Sequence, residues 1–170
     1  MKVKLVKPNL KNIKQINNLI DDFKKYDDIS NGINGSASLL SFASIEEWIN
    51  YVNEQKVSKN KVPFKQFLVV DEANVVIGFT NLRLELNQDL LNHGGHIGYS
   101  ISPQYRQKGY GTEVLKQGLE ILKKYNINKV LVTCAQDNIA SEKVILKNKG
   151  VYENTYKKGD QITKRFWIEI

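Results

Sequence analysis

The chain has 170 residues, with 25 Lys and Arg against 18 Asp and Glu, for a formal net charge of +7. That length predicts one domain over residues 1–170, and 41% hydrophobic with 25% charged residues excludes a disordered chain. The single Cys134 excludes an internal disulfide framework, while Lys2, Lys4, Lys7 and Pro8 break any signal-peptide core and no apolar run nears the ~18 residues of a membrane span, so a cytoplasmic protein without a membrane partner is expected.

The start, Lys2-Val3-Lys4-Leu5-Val6, alternates charged and apolar residues like a short half-buried strand ended by Pro8. From Leu10 onward, Ile13, Ile16, Leu19, Ile20 and Phe23 recur at the spacing of an amphipathic helix. Asp27 to Ser38 is rich in Asp, Asn, Gly and Ser and reads as loop. Ser44, with Glu47 three residues on, predicts a capping box opening a helix that turns Trp48, Ile49 and Val52 inward. Lys56 to Pro63 is a basic connector. Phe67–Val70 and Val75–Phe79 flank the turn-like Asp71–Asn74, a hairpin whose second strand continues through Leu82, Leu84 and Leu86. His96 to Ile101 is a further strand, and a helix follows from about Gly111 to Tyr125. Val130–Cys134 is an apolar run suited to burial on both faces. Asn138 to Asn148 is helical and stopped by Gly150. The chain ends in a hairpin turning at Lys158-Gly159-Asp160, with Arg165–Ile168 in its last strand. This order predicts an α/β (α+β) fold with a mixed, mainly antiparallel central sheet flanked by helices.

The charge is uneven: residues 1–95 carry a net +1 and residues 96–170 a net +6. With 22 Lys and only 3 Arg, the excess lacks the bidentate readers of nucleic-acid bases, so no nucleic-acid partner is expected. It points instead to an anionic ligand held by the second half.

One segment there carries chemistry. The strand through Ile97–Ile101 feeds Ser102-Pro103-Gln104-Tyr105-Arg106-Gln107-Lys108-Gly109-Tyr110-Gly111-Thr112, which opens a long helix. Unpaired amides at a helix start, aided by the helix dipole, seat an anion. Gly109 and Gly111 clear the backbone for phosphate oxygens, and Arg106 and Lys108 add charge. The Gly-Lys-Ser/Thr of a P-loop is absent, and Val114 stands where a dinucleotide fingerprint needs its third glycine.

Arg106-x-x-Gly109-x-Gly111 matches the Arg/Gln-x-x-Gly-x-Gly/Ala signature of the GNAT superfamily of acetyl-CoA-dependent N-acetyltransferases, and Asn138-x-x-Ser141 resembles the family's second cofactor element. Gly94–Tyr99 and Asn138–Gly150 resemble a bacterial subgroup of predicted acetyltransferases. The resemblance implies acetyl-CoA as cosubstrate and an amine acceptor. Amides from Gln107 to Thr112, Lys108 and Tyr110 included, would then bind pyrophosphate. The backbone of Ile101 and Ser102 would pair with the pantetheine arm, with Asn138 and Ser141 beside it.

The reaction so implied is attack of an amine on a thioester. An alkylamine of pKa near ~10.4 must first lose a proton, while a thiol of pKa roughly 8.5 leaves readily. His96 is the first candidate base, and Glu85 the second. Many family members carry a proton-donating Tyr seven residues after the Asn; here that position is Ile145, so the acid is either another residue such as Tyr99 or is not needed. The same Ile145 keeps a second reading open, a catalytically silent acyl-CoA-binding module. His93 and His96 lack metal-ligand spacing, and no metal is expected. A homodimer stays open.

Overall fold

The computed structural model describes residues 2–55 and 61–170, so Lys56–Asn60 of the expected connector lie outside the described residues. Strand β1 (Lys4–Val6) pairs with β2 (Phe64–Val70), β2 with β3 (Val76–Arg83), and β3 with β4 (Ile97–Ile101). All three pairings are antiparallel, in the order β1-β2-β3-β4. Strands β5 (Lys129–Ala135), β6 (Val151–Lys158) and β7 (Gln161–Glu169) form a second antiparallel group in the order β5-β7-β6.

Among the described residues four α-helices cover these strands. Helix α1 (Ile13–Tyr26) buries Ile16, Leu19, Ile20 and Phe23, and α2 (Ile45–Glu54) buries Trp48, Ile49 and Val52. Both pack on the face of the first group that carries Leu68, Val70 and Phe79. Helix α3 (Tyr110–Lys124) takes the opposite face, where Leu115, Leu119 and Leu122 meet Leu82, Ile97, Val130 and Val132. Helix α4 (Ile139–Lys147) follows β5 and sends Ile145 into the same core. The mainly antiparallel sheet flanked by helices is therefore present, parted between β4 and β5.

That parting has one clasp. His96, just ahead of β4, donates its N–H to the Leu131 carbonyl at 2.8 Å, and its Nδ1 accepts the Leu131 N–H at 2.9 Å. Among the described residues no backbone bond joins β4 to β5 beyond this point, which leaves one edge of β4 open.

The loop after α1 is drawn onto the same strand. The indole N–H of the fully buried Trp48 donates to the Ser36 carbonyl at 2.8 Å, and Gln66 Nε2 donates to the Gly35 carbonyl at 2.9 Å. A Cβ at Gly35 would come within 2.6 Å of the Gly98 carbonyl oxygen, so only glycine lets the loop lie this close.

Three local expectations change. Strand β3 ends at Arg83, because the next rung of its ladder is half-made: the Leu84 N–H reaches the Pro63 carbonyl at 2.8 Å, and Pro63 has no N–H to return. Ser44 Oγ accepts the Glu47 N–H at 3.1 Å, but among the described residues no return bond completes the box. Helix α4 closes through Lys149, whose φ is +65°, with the Lys149 N–H on the Leu146 carbonyl and the Gly150 N–H on the Ile145 carbonyl, each at 3.0 Å. The left-handed position is thus a lysine. Gly150 is needed for closeness, since a Cβ there would sit 2.4 Å from Ile145 Cγ2.

Two outcomes follow from this geometry. Lys149→Gly relieves the left-handed strain and stabilises the fold by about 0.5–1 kcal/mol, read as a higher urea midpoint at unchanged slope. His96, kept neutral by burial and by the Arg83 charge, has its pKa lowered from 6.5 to about 4. The unfolded chain takes up a proton in that window and the folded chain does not, so stability is full above pH 6.5 and falls as pH drops toward 4. Unfolding curves of the wild type and His96→Gln at pH 7 and pH 4.5 should differ in acid sensitivity by roughly 1–3 kcal/mol, the variant being the less sensitive.

Candidate active site

The pattern of bonds on β4 decides what the open edge offers. The His96 carbonyl accepts from the Arg83 N–H at 2.7 Å, and the Ser102 N–H donates to Ile77 at 2.8 Å. Between these points Gly98 and Ser100 spend their backbone groups on β3, and the groups of Ile97, Tyr99 and Ile101 face the opening. This overturns the expectation for Ser102. Its N–H is on β3, its carbonyl accepts from the Tyr105 N–H, and its Oγ bonds the Asp22 carboxylate. Ile101 keeps its N–H toward the opening, while its carbonyl already accepts from Arg106 Nε at 3.0 Å.

A cleft of about 820 Å³ runs along this edge. One wall is the loop from Arg106 to Thr112. Gln107 and Gly109 have φ of +61° and +83°, turning the chain so that Gly109 caps α3 without a side-chain bond. Among the described residues the amides of Gln107–Thr112 have no partner outside α3 itself, and Gly109, Tyr110, Gly111 and Thr112 line the cleft. A helix start with free N–H groups and a positive dipole end is a seat for an anion.

The side-chain charge expected beside that seat is arranged differently. Arg106 lines the cleft, but its guanidinium forms a two-pronged pair with Asp27, Nη1 to Oδ1 at 2.9 Å and Nη2 to Oδ2. Lys108 does not line it; its Nζ donates to the Gln104 carbonyl at 3.2 Å. Lys143 and Lys147 on α4 line the cleft instead. Their four-residue spacing puts them on one helical face, the one signal in the sequence that could have found them.

Beside the loop, Asn138 Oδ1 caps α4 by accepting the Ser141 N–H at 3.0 Å, and Ser141 Oγ meets the Tyr99 hydroxyl at 3.0 Å. All three residues line the cleft. Burial pushes Tyr99 up to about 12, so its hydroxyl stays protonated and serves as a donor. The fully buried Ile145 lies in the core behind them.

Neither expected base reaches this space. His96 is 7% exposed, its Nδ1 is occupied by the Leu131 N–H, and it does not line the cleft. Its pKa of about 4, set by burial and then by Arg83, leaves it a structural clasp. Glu85 lies beyond the end of β3, exposed and away from the cleft. Cys134 is buried and absent from the lining, its thiol pushed up to about 11 by burial.

A further wall is made by Phe23, Asp27, Asp28, Ile29, Ile33 and Asn34, from the end of α1 and the loop after it. Ser100 lines it too, and its Oγ is buried with no hydrogen-bond partner among the described residues. The segment from Asn87 to Gly95, the other loop expected near an acceptor, contributes nothing to the lining. It makes a π-helical turn, Leu90–Gly94, held against β7 by Arg165 Nε on the Leu91 carbonyl at 2.9 Å.

The uncharacterized N-acetyltransferase YnaD of Bacillus subtilis (strain 168) is 28% identical over 83 residues, 46% of this chain. The match spans about half that relative's length, 49%. Solved structures share the fold at lower identity. Microcin C7 self-immunity acetyltransferase MccE, in complex with acetyl-CoA and AMP, superposes with a TM-score of 0.72 at 15% identity, over 99% of this chain and 93% of its own. Mutant forms of the spermidine/spermine N-acetyltransferase SpeG from Vibrio cholerae give 0.64 at 17%, over 99% and 95%. The acetyltransferase (GNAT) domain family matches residues 28–151, which span β2 to β5, the anion loop and α4. With free amides, an open strand edge and this match in one segment, the chain belongs to the GNAT acetyltransferases.

Proposed function

We propose that the protein is an acetyl-CoA-dependent N-acetyltransferase that delivers the acetyl group to a primary amine by direct attack in a ternary complex. The observation that carries this reading is the continuity of the cleft: the open edge of β4, the free loop amides and the segment from Asp27 to Asn34 line one space. The loop amides of Gln107–Thr112 fit a pyrophosphate, with Lys143 and Lys147 supplying side-chain charge. The backbone groups of Tyr99 and the Ile101 N–H fit an extended amide-bearing arm added as a strand. Tyr110, Asn138 and Ser141 flank that path.

Bound acetyl-CoA supplies the thioester carbonyl: the amine nitrogen forms a C–N bond, the C–S bond breaks, the amine proton passes to water, and CoA leaves as thiolate. Tyr99 donates a hydrogen bond to the departing sulfur rather than a proton, because transfer from a hydroxyl near 12 to a thiolate near ~8.5 is uphill by about 5 kcal/mol. Ser141 holds that hydroxyl in place. With His96 and Glu85 outside the cleft, water in the open cleft takes the amine proton, and Asp28 is the carboxylate there without a basic partner among the described residues. A silent acyl-CoA-binding module rests on Ile145 alone, and the Tyr99–Ser141 pair supplies the hydroxyl that position lacks.

Gly111→Glu tests the anion seat. A Cβ there meets Val144 and Tyr99 at ordinary contact, 3.4 and 3.5 Å, so the backbone accepts a side chain whose carboxylate faces the phosphate. The thermal stabilisation given by acetyl-CoA should disappear, corresponding to at least ~100-fold weaker binding; a retained shift refutes the seat. For the chemical step, log kcat/KM should rise with unit slope toward the acceptor amine's own pKa, with no break near ~6.5. Tyr99→Phe should keep that shape and lower kcat about tenfold, with unchanged acetyl-CoA affinity.

A further inference from the structure

Strand β3 places a cation, Arg83, behind the Asn34 part of the cleft wall, and the acetyl-transfer reading leaves it unused. Alternation puts Phe79, Asn81 and Arg83 on the face covered by α1 and its loop, together with Gly98 and Ser100 of β4. Arg83 Nη1 donates to the Gly94 and Gly95 carbonyls at 2.9 and 3.1 Å. These neutral oxygens satisfy hydrogen bonds and leave the charge uncompensated, and among the described residues no carboxylate pairs with it. Desolvation lowers its pKa to about 10, and its field helps depress His96, two signatures of a cation short of an anion.

The cation lies directly behind the cleft wall. A Cβ built on Gly98 would stand 3.0 Å from Asn34 Oδ1 and 3.1 Å from Arg83 Nη2, so those two atoms crowd the same glycine. Asn34 lines the cleft, and with Oδ1 on the Arg83 side its Nδ2 is the remaining donor. Ser100, two residues along the same face, presents the buried Oγ that has no partner among the described residues. An orphan hydroxyl and a side-chain amide line the cleft, and an uncompensated guanidinium stands behind the amide at Gly98. Asp27 is neutralised by Arg106, which leaves Asp28 as the carboxylate for a single ammonium.

We infer that the acceptor is an amine that also carries an anionic group, a carboxylate or a phosphate, which docks on Ser100 and Asn34 with Arg83 as its counter-charge. This rests on the acetyl-transfer reading and names its substrate class. Arg83 acts through Asn34 and is a specificity-determining, positioning residue.

Matched amines test it on the full chain with acetyl-CoA: ethanolamine against serine and O-phosphoethanolamine, and putrescine against ornithine. The members bearing an anion should show at least tenfold higher kcat/KM, and serine against O-phosphoethanolamine tells carboxylate from phosphate. Arg83→Gln should erase the gain by raising KM for the anionic amines tenfold or more, with kcat and acetyl-CoA affinity little changed, and Arg83→Lys should restore most of it. Since Arg83 also ties down Gly94 and Gly95, Ser100→Ala and Asn34→Ala carry the test if Arg83→Gln does not fold, each raising KM severalfold for the anionic amines alone. Bare amines used as well as or better than their anionic counterparts overturn this proposal and leave acetyl transfer standing. Acetyl-CoA binding with no turnover of these amines, of peptides or of aminoglycosides overturns both.

Discussion

The site depends on where the sheet stops being a sheet. His96 and Leu131 exchange two hydrogen bonds, one through the backbone and one through the imidazole, and past them β4 and β5 have none in common. Unpaired backbone groups inside a protein are costly, so an open strand edge persists only where something holds the strands apart and something else can occupy the gap. The neutral imidazole does the first, since only an unprotonated Nδ1 can accept the Leu131 N–H. The second is left to whatever extended group can pair with the open edge of β4. The same residue thus binds the two halves together and sets the point from which they part.

Much of this was legible in the sequence because it is local. The three- and four-residue spacing in α1, the Ser44 cap, the hairpin around Asp71–Asn74 and the glycine-bearing loop before α3 each follow from neighbouring residues. What escaped is what depends on partners distant along the chain. His96 has the intrinsic basicity of a catalyst, and only burial beside Arg83 and a bond to a residue 35 positions away make it a clasp. Ser102 sits beside Ile101, yet strand alternation turns one to β3 and the other to the opening. Arg106 matches the family signature, while its partner Asp27 lies 79 residues earlier.

Charge shows the same division between local and distant effects. The +6 of the second half suggested a phosphate-binding surface made by Arg106 and Lys108. In the folded chain the loop before α3 presents free backbone amides, Arg106 is tied to the α1 end, and Lys143 and Lys147 of the next helix line the cleft. The Arg106–Asp27 pair is partly exposed, so its stability contribution is modest, on the order of 0.5–1 kcal/mol. Its greater effect is geometric, joining the loop before α3 to the segment that follows α1.

Cys134 gives one more consequence. The protein's sole sulfhydryl is enclosed in β5, and burial keeps it in the protonated, unreactive form across the pH range in which an amine can be acetylated. Under the proposed reaction, a disulfide-exchange dye added to the folded protein therefore meets the sulfur of released coenzyme and little else. Colour developing slowly without an acceptor would report the opening of β5, so one chromophore follows both turnover and integrity of the fold.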